Sequence, residues 1–202
     1  MAKGWAVFSV DDEAAGVSLD GFLARYPPST TASSDFAWIC VQNARRDPEE
    51  LEQAEDVDGL CAEWRALQER AALSAMQLSE THLDCLARRF GVLSGKWMVF
   101  CSRREVDAVW NSVARATHSG MLGATGAKVS PAKPLTGNAY DDAHVICVYS
   151  VDYTNEAEVA GIKDALRRLN VPGKLSFKPD VYTYCGIYNG NPWGIRPCKH
   201  YE

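Results

Sequence analysis

Two short apolar segments, each followed by a capped amphipathic helix, constrain the fold most strongly. Lys96–Cys101 and His144–Val151 are rich in β-branched and aromatic residues, which favour buried strands. The spacings Ser102–Glu105 and Asn155–Glu158 come next in the chain, and they let side chains satisfy the free backbone donors of a helix N-terminus. The chain thus contains two units in which a strand is followed by a helix that can pack against it, and this predicts an α+β protein.

The rest of the chain alternates between the same two kinds of element. Further strands are predicted at Trp5–Val10, Phe36–Val41, Ala127–Val129 and Val181–Tyr188. Further helices are predicted after Ser18, from Asp47 with a break at Gly59, and from Ser79 to Gly91. No repeat, low-complexity tract or linker separates two cores, so residues 1–202 are predicted to form a single domain.

The charge of the chain limits the kinds of nucleic-acid binding that are open to it. Lys and Arg number 21 and Asp and Glu number 26, for a formal net charge of -5. Such a balance argues against a protein that coats nucleic acid without specificity, because that binding needs dense positive charge. The acidic excess is concentrated in Asp47–Asp58, whereas Lys174–Glu202 carries more cations than acids. A local anion site in the C-terminal region therefore remains open.

The cysteines and the apolar runs indicate a reduced, soluble protein. The chain has 7 cysteines, an odd number, and they are widely spaced with no CxxC pair, which argues against a disulfide framework or a zinc site. No apolar run approaches the roughly 20 residues that a bilayer-spanning helix needs, and the first residues do not form a signal segment. We therefore expect a cytoplasmic protein that does not interact with membranes.

The signatures of catalysis and of metal binding are absent or incomplete. Gly120–Lys128 superficially resembles a phosphate-binding loop, but the Walker motif needs Gly followed directly by Lys and then Ser or Thr. Asp142 and His144 are residue types that bind metals, but a solvated loop is the better interpretation of this segment. Cysteines in apolar strands, such as Cys147, are predicted to be unreactive core residues. We therefore predict no enzyme, no cofactor and no metal site. Lys128 is kept as an isolated cation that could contact a phosphate.

The C-terminal region interleaves aromatic and basic residues, which is the combination that a stacking site for bases requires. Its strand Val181–Tyr188 would place alternate tyrosines on one face. The candidate ligand-binding residues are Lys128, Lys178, Tyr182, Tyr184, Tyr188, Trp193 and Arg196. The alternative is that the tyrosines pack beneath helices, which is common for tyrosine in half-buried strands.

Several segments resemble the basophilic leukaemia expressed protein family. They are Gly95–Cys101, Val106–Trp110, His144–Ser150 and Phe177–Tyr188, and Tyr26–Pro28 fits the family's N-terminal part. That family is similar in fold to translation initiation factor 4E, the messenger-RNA cap-binding protein. The resemblance implies a curved antiparallel sheet with helices packed on its convex face.

The residues that recognise the cap in initiation factor 4E are not found here. Cap recognition uses two Trp rings and a Glu beside the second, but Asp84–Ser94, where that pair would stand, has no Trp. Glu63–Trp64 has the two residues in reverse order within a helical stripe. Three other tryptophans are expected in the core: Trp38, Trp97 and Trp110. Cap binding is therefore not implied for this chain.

Three functional hypotheses follow. The first is an RNA- or nucleotide-binding module on this fold that uses the tyrosines and Trp193 of the C-terminal region with nearby Lys and Arg. The resemblance adds a concave sheet face with a positive rim from Lys128, Lys133, Lys178 or Arg196. The second is a protein-interaction adaptor that uses the acidic segment Asp47–Asp58 or the convex helices and binds no nucleic acid. An unrecognised enzyme ranks last, because no acid, base and nucleophile set converges in the sequence.

Overall fold

A seven-stranded sheet organises the residues described by the computed structural model, which are 4–46, 55–74, 76–138 and 142–202. The strands are β1 Gly4–Phe8, β2 Phe36–Gln42, β3 Gly95–Cys101, β4 Gly126–Val129, β5 His144–Ser150, β6 Leu175–Pro179 and β7 His200–Tyr201. Their order across the sheet is β1-β2-β4-β5-β3-β6-β7. β1 and β2 pair in parallel, whereas every other neighbouring pair of these strands is antiparallel.

Some helices begin where the sequence offers caps, but the helix predicted from Ser102 begins at Val106, after Glu105, whose side chain does not cap it. The helices are α1 Val10–Ala14, α2 Leu19–Arg25, α3 Val57–Ser74, α4 Glu80–Arg89, α5 Val106–His118, α6 Glu156–Arg168 and α7 Asp180–Tyr184. The predicted caps at Ser18 and Asn155 are confirmed, since their side chains accept hydrogen bonds from the backbone of Gly21 and Glu158. α3 runs through Gly59 without the predicted break. The predicted helix start at Asp47 lies outside the described residues.

Alternation along the strands separates a helix-covered face from an open one. On β3, Trp97 and Val99 face the helices, and the Trp97 indole N–H donates to the carbonyl of Val159 in α6 over 2.9 Å. Lys96 and Phe100 point the other way, and Phe100 is 52% exposed. The buried apolar residues of the strands and of α3 to α6 form one cluster. The α+β class, with helices packed on a curved sheet, is confirmed. The assignment of residues 1–202 to a single domain stays a prediction.

The predicted last strand, Val181–Tyr188, is wrong. The strand next to β3 is β6, which pairs Phe177 with Trp97 and ends where the Asp180 backbone N–H donates to the Ser94 carbonyl. After Asp180 the chain turns into α7, and the Cys185 N–H donates to the Val181 carbonyl over 2.9 Å. The alternation of apolar and tyrosine residues imitates a strand, but the position beside β3 is already taken by the preceding five residues.

Candidate ligand-binding cleft

A cleft of about 590 Å³ lies on the open face of the sheet. The residues used below to describe it are Trp5, Lys96, Lys128, Tyr149, Asp180 and Tyr184, all of which line it. The order and the register of the strands bring these residues together. β4, which carries Lys128, lies between β2 and β5, and Tyr149 of β5 is the Cα partner of Lys96 on β3. Trp5 belongs to the edge strand β1, and Tyr184 belongs to α7, which follows β6. The cleft therefore spans most of the width of the sheet.

Lys128 is a half-buried cation among aromatic rings. Its Nζ lies 4.3 Å from the ring centroid of Trp38, 4.9 Å from that of Trp5 and 5.3 Å from that of Tyr149. Burial lowers the pKa of Lys128 below its usual value, and the nearby charge of Lys96 lowers it further. Lys128 forms no ion pair with any carboxylate of the described residues. It therefore offers an incoming anion an ammonium group that no described carboxylate neutralises.

A second lysine, Lys96, is fully committed to partners within the protein. Its Nζ pairs with Oδ1 of Asp180 and donates to Oγ1 of Thr183 over 3.1 Å. The Oδ2 atom of Asp180 accepts a hydrogen bond of 3.0 Å from Ser94 Oγ. This network fixes α7 against β3 at one end of the cleft. Lys96 is therefore a structural cation here, in contrast to Lys128.

Two thiols flank Lys128 in the register of the sheet. Cys40 of β2 and Cys147 of β5 are its Cα partners on either side. Burial raises the pKa of Cys40 to about 12 and that of Cys147 to about 11. Since both stay protonated near neutral pH, they act as small apolar side chains rather than nucleophiles. Burial likewise raises the pKa of the Tyr149 hydroxyl.

The C-terminal candidates do not assemble into one site. Of the predicted set, Lys128 and Tyr184 line the cleft, and Tyr184 is 43% exposed. The Lys178 ammonium lies 3.6 Å from the ring centroid of Tyr188 and donates to the Ile187 carbonyl over 2.7 Å. Burial lowers the pKa of Lys178 to about 8. Lys178 is thus buried against its own neighbours, although the ring of Tyr188 is exposed.

Tyr182 and Trp193 are corrections to the predicted site. Tyr182 is fully buried, because α7 turns its ring into the core instead of along a strand. Trp193 packs edge-on against Trp64, with ring centroids 5.1 Å apart. Arg196 is exposed and does not line the cleft. The alternative that tyrosines pack beneath helices is therefore correct for Tyr182.

The buried hydroxyl of Tyr182 gives a test of this correction. It has no hydrogen-bond partner among the described residues. Tyr182→Phe is expected to leave the free energy of unfolding unchanged or to raise it by up to about 1 kcal/mol, because no hydrogen bond is lost and an unpaired polar group is removed. Urea denaturation measures the change. A loss of more than about 1 kcal/mol would show that the hydroxyl has a stabilising partner.

The sequence analysis missed several cleft residues, and it assigned Trp38, whose ring lies beside the cleft residue Lys128, to the core. Trp38 was expected in the core together with Trp97 and Trp110, and only the latter two are buried there. Trp38 is half-buried over Lys128 instead. The signal was present in β2, where Trp38 alternates with the buried Ile39 and therefore faces away from the helices. The cleft side chains that no motif singled out are Trp5, Lys96, Tyr149 and Asp180.

The remaining predictions about this region are settled only in part. Lys133, proposed for a positive rim, is exposed and lines a separate depression with Phe100 rather than the cleft. The acidic segment proposed as an adaptor surface, Asp47–Asp58, falls mostly outside the described residues. Within the described ranges, no three His, Cys, Asp or Glu side chains are grouped so that they could hold a metal ion. No helix in that part of the chain has the length and apolarity to cross a bilayer.

Comparisons with known proteins give one family and a set of partial structural matches. A family model described as basophilic leukemia-expressed protein Bles03 matches residues 10–83 and 65–186. The C. elegans eIF4E-3 in complex with the 4E-binding protein Mextli and cap analog is 18% identical, with a TM-score of 0.37, over 44% of this chain and 51% of that one. The Ascaris suum eIF4E-3 with m2,2,7G cap is 13% identical, with a TM-score of 0.40, over 55% and 58%. The chain thus spans about half the length of the eIF4E chains it matches.

Proposed function

We propose that this chain, which belongs to the basophilic leukemia-expressed protein Bles03 family, is a binding module that takes a single nucleotide in the open-face cleft. In this proposal the base stacks on an exposed aromatic ring and a phosphate contacts Lys128. The observation that supports it is the Lys128 ammonium, which lies among aromatic rings with no carboxylate of the described residues paired to it. A binding protein of this kind needs no catalytic group in the cleft.

Aromatic rings border the cleft on both sides and offer a base two surfaces. Trp5 is 53% exposed on the edge strand, and Tyr184 contributes its ring from α7. Stacking of a base on an aromatic side chain contributes about 1–3 kcal/mol and tolerates any base, because every base has a π face. Stacking here therefore supports affinity without predicting which base is preferred.

Among the cleft residues that the structure describes, Lys128 is the cation that sets the strength of phosphate binding. Lys128 is open to an anion, whereas Lys96 is already paired with Asp180. The attraction between a half-buried lysine and a phosphate in a cleft that is open to solvent weakens as salt is added. We therefore expect modest, salt-sensitive affinity rather than tight binding to long nucleic acid, in agreement with the net charge of -5.

The volume of the cleft fits one nucleotide unit. At about 590 Å³ it lies within the range of roughly 300–1,000 Å³ that is common for small-molecule sites. A single-stranded RNA would therefore be held through one of its nucleotides. Titration with mononucleotides and with short RNAs compares the two ligands directly.

Lys128→Gln is expected to weaken the binding of adenosine and guanosine monophosphates by about tenfold or more, because a hydrogen bond to a charged group is lost. Trp5→Ala is expected to weaken it by about 1–3 kcal/mol through lost stacking. Quenching of intrinsic Trp fluorescence at two salt concentrations measures both effects.

Lys133→Gln is the matched control for this titration. It removes the same charge from an exposed residue that does not line the cleft, so its affinity should equal that of the unaltered protein. The proposal is overturned if neither mononucleotides nor short RNAs show salt-sensitive binding at high micromolar concentration. It is also overturned if the Lys133 and Lys128 variants lose affinity equally.

A further inference from the structure

The Lys128 ammonium group lies against the aromatic rings in and beside the cleft and therefore bears on whether a cation or an anion can bind there. We infer that Lys128 is the internal occupant of an aromatic cage, formed by Trp5, Trp38 and Tyr149, and that it excludes cationic ligands from this cage while leaving anionic ligands a contact. This inference deepens the proposed function and rests on it for the identity of the natural ligand. The cage itself follows from the geometry alone.

The cage is part of the sheet and does not depend on a loop. Trp5 and Trp38 are Cα partners on the neighbouring strands β1 and β2. Lys128 lies on β4, between β2 and β5, and Tyr149 follows the Lys128 partner Cys147 by two residues on β5, which places both on the same face. Rings from β1, β2 and β5 thus surround one ammonium group that β4 supplies from between β2 and β5. All three ring centroids lie within the roughly 6 Å over which a cation is attracted to an aromatic face.

The rings are the main partners of this ammonium group. Among the described residues, the carboxylate of Asp180 partly offsets the lowering of the Lys128 pKa by burial, but its two oxygens are engaged by Lys96 and Ser94. The flanking thiols of Cys40 and Cys147 carry no charge near neutral pH, because burial raises their pKa values. Attraction to the ring quadrupoles therefore takes the place of a counter-ion.

This occupancy has opposite consequences for the two signs of ligand charge. A cationic ring or a quaternary ammonium ion would have to displace Lys128 or lie beside it, and like charges in a half-buried cleft repel each other. An anion meets a positive charge that no carboxylate of the described residues pairs with. Removing the lysine side chain would leave three ring faces around an empty space, which is the arrangement that binds quaternary ammonium ions.

The test uses tetramethylammonium chloride as the probe, with sodium chloride holding the ionic strength constant. Lys128→Ala is expected to bind tetramethylammonium at least about tenfold more tightly than the unaltered protein. Lys128→Arg, which keeps a cation in the cage, and Lys133→Ala, which removes a distant one, should both behave like the unaltered protein. Equal affinity of Lys128→Ala and the unaltered protein, with both folded by circular dichroism, overturns the inference.

A second measurement needs no variant and covers the case in which Lys128→Ala does not fold. Protons held over aromatic faces resonate upfield, so the Hε protons of Lys128 are expected upfield of those of Lys133 in the NMR spectrum of the unaltered protein. Coincident resonances for the two lysines would show that the cage is not occupied by Lys128 and would overturn the inference.

The two proposals fail in different ways. If Lys128→Ala binds tetramethylammonium while the unaltered protein binds no nucleotide, the cage is established and the nucleotide function is wrong. If nucleotide binding depends on Lys128 but the variant gains no affinity for tetramethylammonium, the function is supported and the cage inference is wrong.

Discussion

Asp180→Ala is expected to lower the free energy of unfolding by about 3–5 kcal/mol, because it leaves the ammonium group of Lys96 buried without its carboxylate. Both side chains of this pair are almost entirely excluded from solvent. The substitution also removes one of two carboxylate acceptors of the Ser94 hydroxyl, the other being Glu55, and it leaves Thr183 as the remaining hydrogen-bond partner of Lys96 among the described residues. Urea denaturation followed by fluorescence gives the change.

Three further variants separate the loss of an ion pair from the loss of packing. Replacing both charges together, Lys96→Met with Asp180→Leu, is expected to cost less than Asp180→Ala alone, because no uncompensated charge is left inside. Asp180→Asn is the milder single change if the alanine variant does not fold. Asp20→Ala, which breaks an exposed pair with Arg115, should change stability by at most about 1 kcal/mol. A cost below that value for Asp180→Ala would contradict the importance of the buried pair.

Trp64→Ala is expected to lower the free energy of unfolding by about 3–5 kcal/mol through the cavity it leaves. The indole is buried, its N–H donates to the Cys185 carbonyl over 3.0 Å, and its ring meets that of Trp193 edge-on. Trp64 therefore joins α3 to the segment after α7. Thermal and urea denaturation both report the loss.

Variants on the same helix provide the comparison for Trp64. Trp64→Phe keeps an aromatic ring and loses the hydrogen bond, so an intermediate loss is expected. Leu73 lies on the same helix and is 91% exposed, so Leu73→Ala should change stability by less than about 0.5 kcal/mol. If Trp64→Ala cost no more than Leu73→Ala, the indole would not anchor the C-terminal segment.

Local sequence patterns predict the central strands, which have continuous apolar runs, and the helices that start at a capping side chain. β3 and β5 were predicted almost to the residue, since their apolar runs lie at the centre of the sheet and the caps at Ser18 and Asn155 mark helix starts. The segment after Pro179 was not, because alternation of apolar and aromatic residues has the same appearance in a strand and in a short helix packed against a core. What decided between the two was the pairing of β6 with β3, which is a property of the tertiary structure.

The cleft could be predicted only in part for a similar reason. Lys128 and Tyr184 were among the candidate residues, yet Trp5 and Tyr149 of the cleft come from strands that are far apart in the chain and carry no motif. The same holds for Trp38, whose ring lies beside Lys128. Their proximity depends on the order of the strands, in which β4 is inserted between β2 and β5. A sequence motif, which is defined by the spacing of residues along the chain, does not contain the order of the strands in the sheet.

Successive side chains of each strand face the cleft and the core in turn, so a change of strand length affects both. Lys96 and Trp97 are neighbours in β3, but one belongs to the cleft wall and the other to the core. An insertion or deletion of one residue within β3 would exchange the two faces and place a charge among the buried apolar residues. Relatives of this protein should therefore differ in ligand preference through substitutions at cleft positions, with the lengths of these strands kept constant.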